Sequence, residues 1–119
     1  MTNTVTRSQT GRITGDQVVD TTTGTTSWAY TYDPAGRLTT AHLTAPTTRA
    51  LTYDYTTATS GSCPGGSVAN AGRNHHRTAT GTTVGAAAPV TGSGCYDQAD
   101  RLLATLGAGP TTYTYDGRG

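Results

Sequence analysis

The sequence predicts an all-β fold made of successive antiparallel β-hairpins, and three observations support this prediction. Threonine and glycine are unusually frequent, with 29 Thr and 16 Gly among the 119 residues. Thr and Tyr favour strands, whereas Gly favours turns. Every acidic residue is Asp and every basic residue is Arg, so Lys and Glu, two of the best helix formers on a protein surface, are absent. Finally, a motif of alternating aromatic residues followed by a turn recurs along the chain, which indicates strands separated by turns.

The net charge and the apolar content of the chain argue against several classes of protein. The formal net charge is +1, which argues against a nucleic-acid partner because such proteins carry a basic surface. Only 13 residues are Leu, Ile or Val, and Phe is absent. A content this low is typical of disordered chains, but the regular spacing of the aromatic residues favours packed repeats over a Thr-rich linker. No stretch approaches the roughly 20 apolar residues of a membrane span.

The recurring motif supplies the residues that we expect to be structural. They are Tyr30, Tyr32, Asp33, Gly36, Arg37 and Leu38 in the clearest copy, Tyr96, Asp97, Arg101 and Leu102 in a second, and Tyr113, Tyr115 and Asp116 in a third. Weaker copies lie at residues 8–13 and 69–74. The Tyr-Asp steps at residues 33, 54, 97 and 116 are 21, 43 and 19 residues apart. A period of about 20 residues holds two strands and two connections, so each unit is interpreted as one hairpin.

The clearest copy predicts a strand and the turn that follows it. Trp28, Tyr30 and Tyr32 fall at every second residue, so we expect them to share one face of the strand. The segment from Asp33 to Gly36 has Asp, Pro and Gly where a type I turn prefers them. Gly36 can also adopt the left-handed conformation that closes a hairpin with a bulge, and Asp100 tolerates that conformation in the second copy.

Other stretches are less regular. Residues 60–66 and 81–93 are rich in Gly, Ala, Ser, Thr and Pro, and we predict loops there. Residues 102–106 are predicted as a strand rather than a helical turn. We interpret residues 1–119 as a single partial repeat region with an insertion loop at about residues 56–68. The first ten residues lack the apolar core of a signal peptide, so Met1 is expected to be an internal or cloning start.

The motif resembles that of a known family. The pattern Tyr-x-Tyr-Asp-x-x-Gly-Arg-Leu at residues 30–38 resembles the YD repeat of Rhs proteins, which also occurs in teneurins and in shell-forming subunits of insecticidal toxin complexes. The resemblance implies a slice of a spiralling β-sheet shell with a hollow interior, which in bacterial members encloses a C-terminal toxin. The self-cleaving region that normally follows the repeats has no match here, so the resemblance implies neither cleavage nor toxicity for this chain.

Catalytic and metal sites are not expected. His42, His75 and His76 could suggest a metal site, but adjacent residues of a strand point to opposite faces, so we favour loop or surface histidines. No serine lies in a nucleophile elbow. We therefore expect no enzymatic activity and no cofactor.

Two function classes remain open. The first, implied by the resemblance, is a structural repeat segment of a secreted or cell-surface Rhs-type protein, whose partners are the remainder of the same chain and its toxin domain. The alternative is a surface carbohydrate-binding or adhesion module, because exposed Tyr and Trp rings would suit stacking on sugars. The expected partners include no nucleic acid.

The two cysteines offer one further prediction. Cys63 and Cys95 are the only cysteines of the chain, and a pair in an exported protein is usually bridged. We predict a disulfide between them, which would tie the insertion loop to the start of a repeat. The alternative is two free thiols in a chain kept reduced in the producing cell.

Overall fold

The computed structural model describes residues 1–57 and 62–117, which contain β-strands and turns but no helix. The strands are β1 (Thr2–Arg7), β2 (Ile13–Asp20), β3 (Gly24–Tyr32), β4 (Leu38–Ala45), β5 (Arg49–Asp54), β6 (Ala79–Val84), β7 (Val90–Tyr96), β8 (Leu102–Gly107) and β9 (Thr111–Thr112). Their order in the sheet is their order in the chain, and the sheet is antiparallel. The prediction of an all-β fold of successive hairpins is therefore confirmed.

The chain forms two compact units. Unit 1 consists of Met1–Thr52 and Thr82–Pro89, and unit 2 of Tyr53–Gly81 and Val90–Gly119. Within the described residues, the buried apolar side chains are few and mostly small: Ala41 in unit 1, and Cys95, Tyr96 and Ala104 in unit 2. The small number of buried residues agrees with the low content of Leu, Ile and Val.

Strand β3 gives unit 1 an aromatic face. Trp28, Tyr30 and Tyr32 are half-buried, whereas Ala29 and Thr31 between them are exposed. The Trp28 and Tyr30 rings are nearly parallel, with centroids 6.2 Å apart. The aromatic residues therefore share one side of the strand, as their spacing predicts.

The β7–β8 hairpin organises unit 2. Its register pairs Cys95 with Ala104 and Gly94 with Thr105, which brings the two most buried apolar residues, Cys95 and Ala104, side by side. Cys63 reaches this core from outside the hairpin and forms a disulfide with Cys95, with the Cα atoms 5.7 Å apart. That Cα separation lies within the ordinary range for disulfides.

The loop prediction for residues 81–93 is wrong in part, because β6 extends to Val84 and β7 begins at Val90. These strands lack the apolar alternation that identifies a half-buried strand. Gly92 instead permits close packing: a Cβ there would lie 3.2 Å from the carbonyl oxygen of Leu106 and 3.3 Å from Oγ1 of Thr80. The strand prediction for residues 102–106 is confirmed by β8.

Loss of the disulfide should destabilise the protein markedly. The bond joins residues 32 positions apart, and in the chain-entropy model closing such a loop contributes about 4 kcal/mol. We expect urea unfolding of the reduced protein to show a free energy of unfolding lower by about that amount. Cys63→Ala, which leaves Cys95 in its buried position, should match the reduced protein and should not respond to the reductant. Superimposable curves for the oxidised and reduced protein would contradict this.

Candidate functional site

In unit 1, the carboxylate of Asp33 holds the turn between β3 and β4. Its Oδ1 accepts the backbone N–H of Arg37 at 2.9 Å, and its Oδ2 accepts the Arg37 Nε–H at 2.7 Å. The Asp33 N–H donates to the Arg37 carbonyl at 3.0 Å, and the Gly36 N–H donates to the Asp33 carbonyl at 2.9 Å. Gly36 has φ of 85°, a conformation that is easiest for glycine. One side chain thus fixes both ends of the turn.

In unit 2, Asp97 makes the same set of contacts with Arg101. Its Oδ1 accepts the Arg101 N–H at 2.9 Å, and its Oδ2 accepts the Arg101 Nε–H at 2.8 Å. The backbone bonds recur too, from Asp97 N–H to the Arg101 carbonyl and from Asp100 N–H to the Asp97 carbonyl, both 3.0 Å. Asp100 takes the position of the glycine with φ of 59°. The two Tyr-Asp motifs therefore fold alike.

These hydrogen bonds shift the acidity of both turn carboxyls. The backbone N–H of Arg37 lowers the pKa of Asp33 below its ordinary value, and the Arg37 side chain adds to the effect. The backbone N–H of Arg101 likewise lowers the pKa of Asp97. Both carboxyls are therefore held in the ionised form, which is the form that accepts these bonds.

A third turn of the same kind uses serine in place of aspartate. The Ser8 N–H donates to the Arg12 carbonyl at 2.8 Å, and the Gly11 N–H donates to the Ser8 carbonyl at 2.9 Å. The Arg12 N–H donates to Ser8 Oγ at 3.2 Å, where the other turns use Oδ1 of Asp. The weak sequence copy at residues 8–13 is therefore a hairpin turn, whose Arg has no carboxylate within its own turn.

In unit 1, Tyr32 connects the second turn to the first. Its hydroxyl donates a 2.7 Å hydrogen bond to the carbonyl of Ile13, and the Arg12 Cζ lies 5.8 Å from its ring centroid. The Arg12 guanidinium also covers Gly36, where a Cβ would lie 2.6 Å from its Cζ. The tyrosine before one turn thus contacts the residues that follow the preceding turn.

Unit 2 repeats this contact. The Tyr115 hydroxyl donates to the carbonyl of Leu102 at 2.7 Å, and the Arg101 Cζ lies 5.1 Å from the Tyr115 ring centroid. The hydroxyl of Tyr96 donates to the carbonyl of Arg77 at 3.3 Å. Sequence reasoning identified the tyrosines but not their acceptors, which lie 13 or more residues away.

After Asp54 the chain does not form a tight turn. It continues through a long segment, residues 55–77, which we call the excursion. Its Oδ1 accepts the N–H groups of Thr56 and Thr57 at 2.6 and 3.1 Å. The hydroxyls of both threonines also donate to its carboxylate, and that of Thr57 is the main cause of a pKa well below the ordinary value for Asp54. The Asp54 carbonyl accepts the Thr78 N–H at 2.8 Å. The chain therefore returns to β5 only at Thr78, ten residues beyond the end of the predicted insertion loop, of which residues 58–61 lie outside the described part.

The excursion packs around Tyr96. The His76 ring stacks on the Tyr96 ring at a centroid distance of 4.9 Å, and the Val68 N–H donates to the Tyr96 carbonyl at 2.9 Å. Glycines make room for the ring, since a Cβ at Gly72 or Gly94 would lie 2.8 Å from a Tyr96 ring carbon. Burial raises the pKa of Tyr96, and the charge of Asp100 contributes further.

Asp100 anchors the excursion to the β7–β8 turn. Its Oδ1 accepts the Gly72 N–H at 2.8 Å, and its Oδ2 lies 3.7 Å from Nδ1 of the exposed His75. The residue that replaces the turn glycine therefore carries a contact that the sequence did not predict. The only indication of this contact in the sequence is that Asp100 stands where the motif has Gly.

The other sequence copies differ in outcome. Residues 69–74 lie within the excursion and form turns without flanking strands, with Arg73 Nη1 donating to Asn70 Oδ1 at 3.0 Å. In the third copy, the Tyr113 N–H donates to the carbonyl of Leu103 at 2.9 Å. Arg118 and Gly119, which end this copy, lie outside the described residues.

Across residues 1–57 and 62–117, no three His, Cys, Asp or Glu side chains are grouped so that they could hold a metal ion. Nor do these residues contain a helix with the length and apolar character to cross a membrane.

Comparison with family models, with curated proteins and with solved structures finds no significant match to this chain.

The tyrosine hydroxyl bonds should contribute measurably to stability. Tyr115→Phe removes the bond to Leu102, so we expect the free energy of unfolding to fall by about 0.5–1.5 kcal/mol. Tyr113→Phe is the matched control, because its side chain is exposed to a similar extent and makes no hydrogen bond with the described residues. Chemical denaturation of both variants measures the difference. Equal stabilities would show that the Tyr115 bond contributes nothing.

The contact between Arg12 and Gly36 can be separated from backbone strain. Gly36 and Gly24 have φ of 85° and 90°, but nothing lies within 4 Å of a Cβ at Gly24. Alanine at either position should cost about 1–2 kcal/mol through the left-handed backbone. Gly36→Ala should cost about 0.5–1 kcal/mol more, because it displaces Arg12 from Tyr32. In an Arg12→Ala background that extra cost should vanish, and its persistence would exclude Arg12 as the cause.

The Asp33 turn should weaken at low pH. Because its pKa is lower in the folded chain, Asp33 stabilises the protein fully above its unfolded value of 3.8, and this contribution disappears as the pH falls through the lower folded pKa. Asp33→Asn should therefore be less stable than the parent protein at pH about 7, and the two stabilities should converge as the pH falls through the lowered pKa of Asp33. Urea unfolding across this range tests the prediction, and a constant difference would contradict it.

Proposed function

We propose that this chain is a structural repeat segment of an Rhs-type, YD-repeat protein that is secreted or displayed on the cell surface, where it helps to encapsulate or present a C-terminal toxin domain. The observation that carries the proposal is the recurrence of one device in both units. Each unit contains a turn closed by Asp and Arg. Each unit also contains a tyrosine whose hydroxyl bonds to the residue that follows the preceding turn, Tyr32 to Ile13 and Tyr115 to Leu102.

The device suits a wall built of many hairpins. Each tyrosine contact joins a hairpin to its neighbour in the chain, so stability is added step by step without a deep core. Such a segment only has to hold its shape as part of the shell, so the proposed role requires neither a catalytic group nor a cofactor. The disulfide between Cys63 and Cys95 supports an oxidising destination, where such bonds form and persist.

A direct test uses the complete reading frame that contains this chain. If the repeats form a shell, a domain encoded downstream should resist protease in the native protein and be digested rapidly after the shell is denatured. Electron microscopy of the same sample should show a hollow particle with density inside. A downstream domain that is digested equally fast in both states would exclude the encapsulating role.

The second candidate function is carbohydrate binding, and the aromatic face of β3 favours it. The nearly parallel rings of Trp28 and Tyr30 resemble a stacking platform for a sugar ring. A glycan array probed with the 119-residue chain tests this candidate, with Trp28→Ala as the control that should abolish binding. Binding that survives Trp28→Ala would not involve the platform.

A further inference from the structure

Unit 1 contains a small groove on its aromatic face. The lining residues are Val5, Ile13, Asp16, Tyr30, Tyr32 and Leu38, and the volume is about 220 Å³. Pockets for drug-sized ligands span roughly 300–1,000 Å³. The groove is therefore too small for an oligosaccharide or a large cofactor and has the size for a single large side chain.

Asp16 is the one charged residue among those that line the groove. Its Oδ1 is shielded from solvent and accepts no hydrogen bond from any residue in the described ranges. None of the described ion pairs includes it. Burying a carboxylate oxygen without a hydrogen-bond donor costs free energy. A ligand that donates a hydrogen bond to this oxygen would reduce that cost.

The rings beside Asp16 favour a cation. The pKa of Tyr30 is raised, first by burial and then by the negative charge of Asp16, so the carboxylate acts on the ring that lines the groove beside it. The stacked Trp28 ring holds Tyr30 in place. A positive group that enters would meet both a carboxylate and the faces of aromatic rings, which also attract cations.

The chain itself indicates which cation suits such a surface. Guanidinium groups lie over tyrosine rings elsewhere in the described residues: Arg12 over Tyr32 at 5.8 Å, Arg77 over Tyr53 at 4.5 Å and Arg101 over Tyr115 at 5.1 Å. Among the described residues, none lies over Tyr30. Guanidinium is planar, stacks on aromatic rings and binds a carboxylate through two parallel hydrogen bonds.

We propose that the groove formed by Val5, Ile13, Asp16, Tyr30, Tyr32 and Leu38 is a receptor site for one arginine side chain of another polypeptide segment. The guanidinium pairs with the Asp16 carboxylate, and the arginine methylenes lie against Val5 and Ile13, which are 44% and 36% exposed. Long basic side chains commonly cover apolar surface in this way while their charged end finds a partner.

The first test uses blocked arginine as the probe. N-acetyl-arginine amide is titrated into the 119-residue protein, and the fluorescence of Trp28, the single tryptophan, reports occupancy beside Tyr30. N-acetyl-citrulline amide has nearly the same shape but no charge, and it should bind about tenfold more weakly or worse. Equal binding of the two probes, or no saturable binding of either, would overturn the proposal.

Variants then locate the site. Asp16→Asn should weaken binding of the arginine probe about tenfold. The matched control is Asp20→Asn on the same strand. The Asp20 carboxylate accepts the N–H groups of Thr22 and Thr23 at 2.7 and 2.9 Å, and Asp20 does not line the groove. This control should bind like the parent protein. Unchanged binding in Asp16→Asn would overturn the assignment, and if that variant does not fold, the citrulline comparison decides alone.

Competing occupants give different results. Tighter binding of N-acetyl-lysine amide than of the arginine probe would overturn the choice of guanidinium. Binding of a neutral monosaccharide that is insensitive to Asp16→Asn would overturn the arginine site and support the carbohydrate platform instead. Neither result depends on whether the chain belongs to a shell, so the inference can fail independently of the proposed function.

Discussion

A carboxylate at the start of a hairpin turn supplies the constraint that this protein needs most. The described residues bury few apolar side chains, so packing alone gives weak preference for one strand register. A slip of one residue would move every side chain of a strand to the opposite face. Asp33 and Asp97 prevent this, because each accepts the backbone N–H of the Arg four positions later. The turn residues of this protein therefore fix the strand register, which in other proteins is fixed by a larger apolar core.

The arginines of two turns, Arg12 and Arg101, extend this local constraint to the next hairpin. Arg101 donates to Asp97 in its own turn and lies against Tyr115 of the following motif. Arg12 has Ser8 rather than Asp as its turn partner, and its guanidinium lies against Tyr32 and Gly36 instead. In both units the coupling runs between neighbouring hairpins, which is the pattern of a repeat protein whose stability is a sum of local and nearest-neighbour terms.

Sequence reasoning succeeded where the determinants are local. The Asp-Pro-Ala-Gly segment at residues 33–36 encodes its turn, and the alternation of Trp28, Tyr30 and Tyr32 encodes their common face. It failed where a contact joins distant residues. The acceptors of Tyr32 and Tyr115 lie in the preceding motifs, and no spacing rule identifies them. The parts of β6 and β7 that lie within residues 81–93 were predicted as loops because Thr and Gly replace the apolar residues that usually mark a strand.

The two departures from the motif in unit 2, the Asp at the glycine position of the turn and the long excursion, contact each other. At Gly36 in unit 1, an arginine occupies the space that a Cβ would need, so a side chain there would displace it. At the equivalent position in unit 2, Asp100 carries a side chain, and its carboxylate accepts the N–H of Gly72 in the excursion. The absence of glycine at this turn position and the presence of the long excursion are therefore connected by a direct contact. A copy of the motif that carries Asp at this position is expected to pack against an inserted segment, whereas a copy with Gly is expected to pack against the arginine of its neighbour.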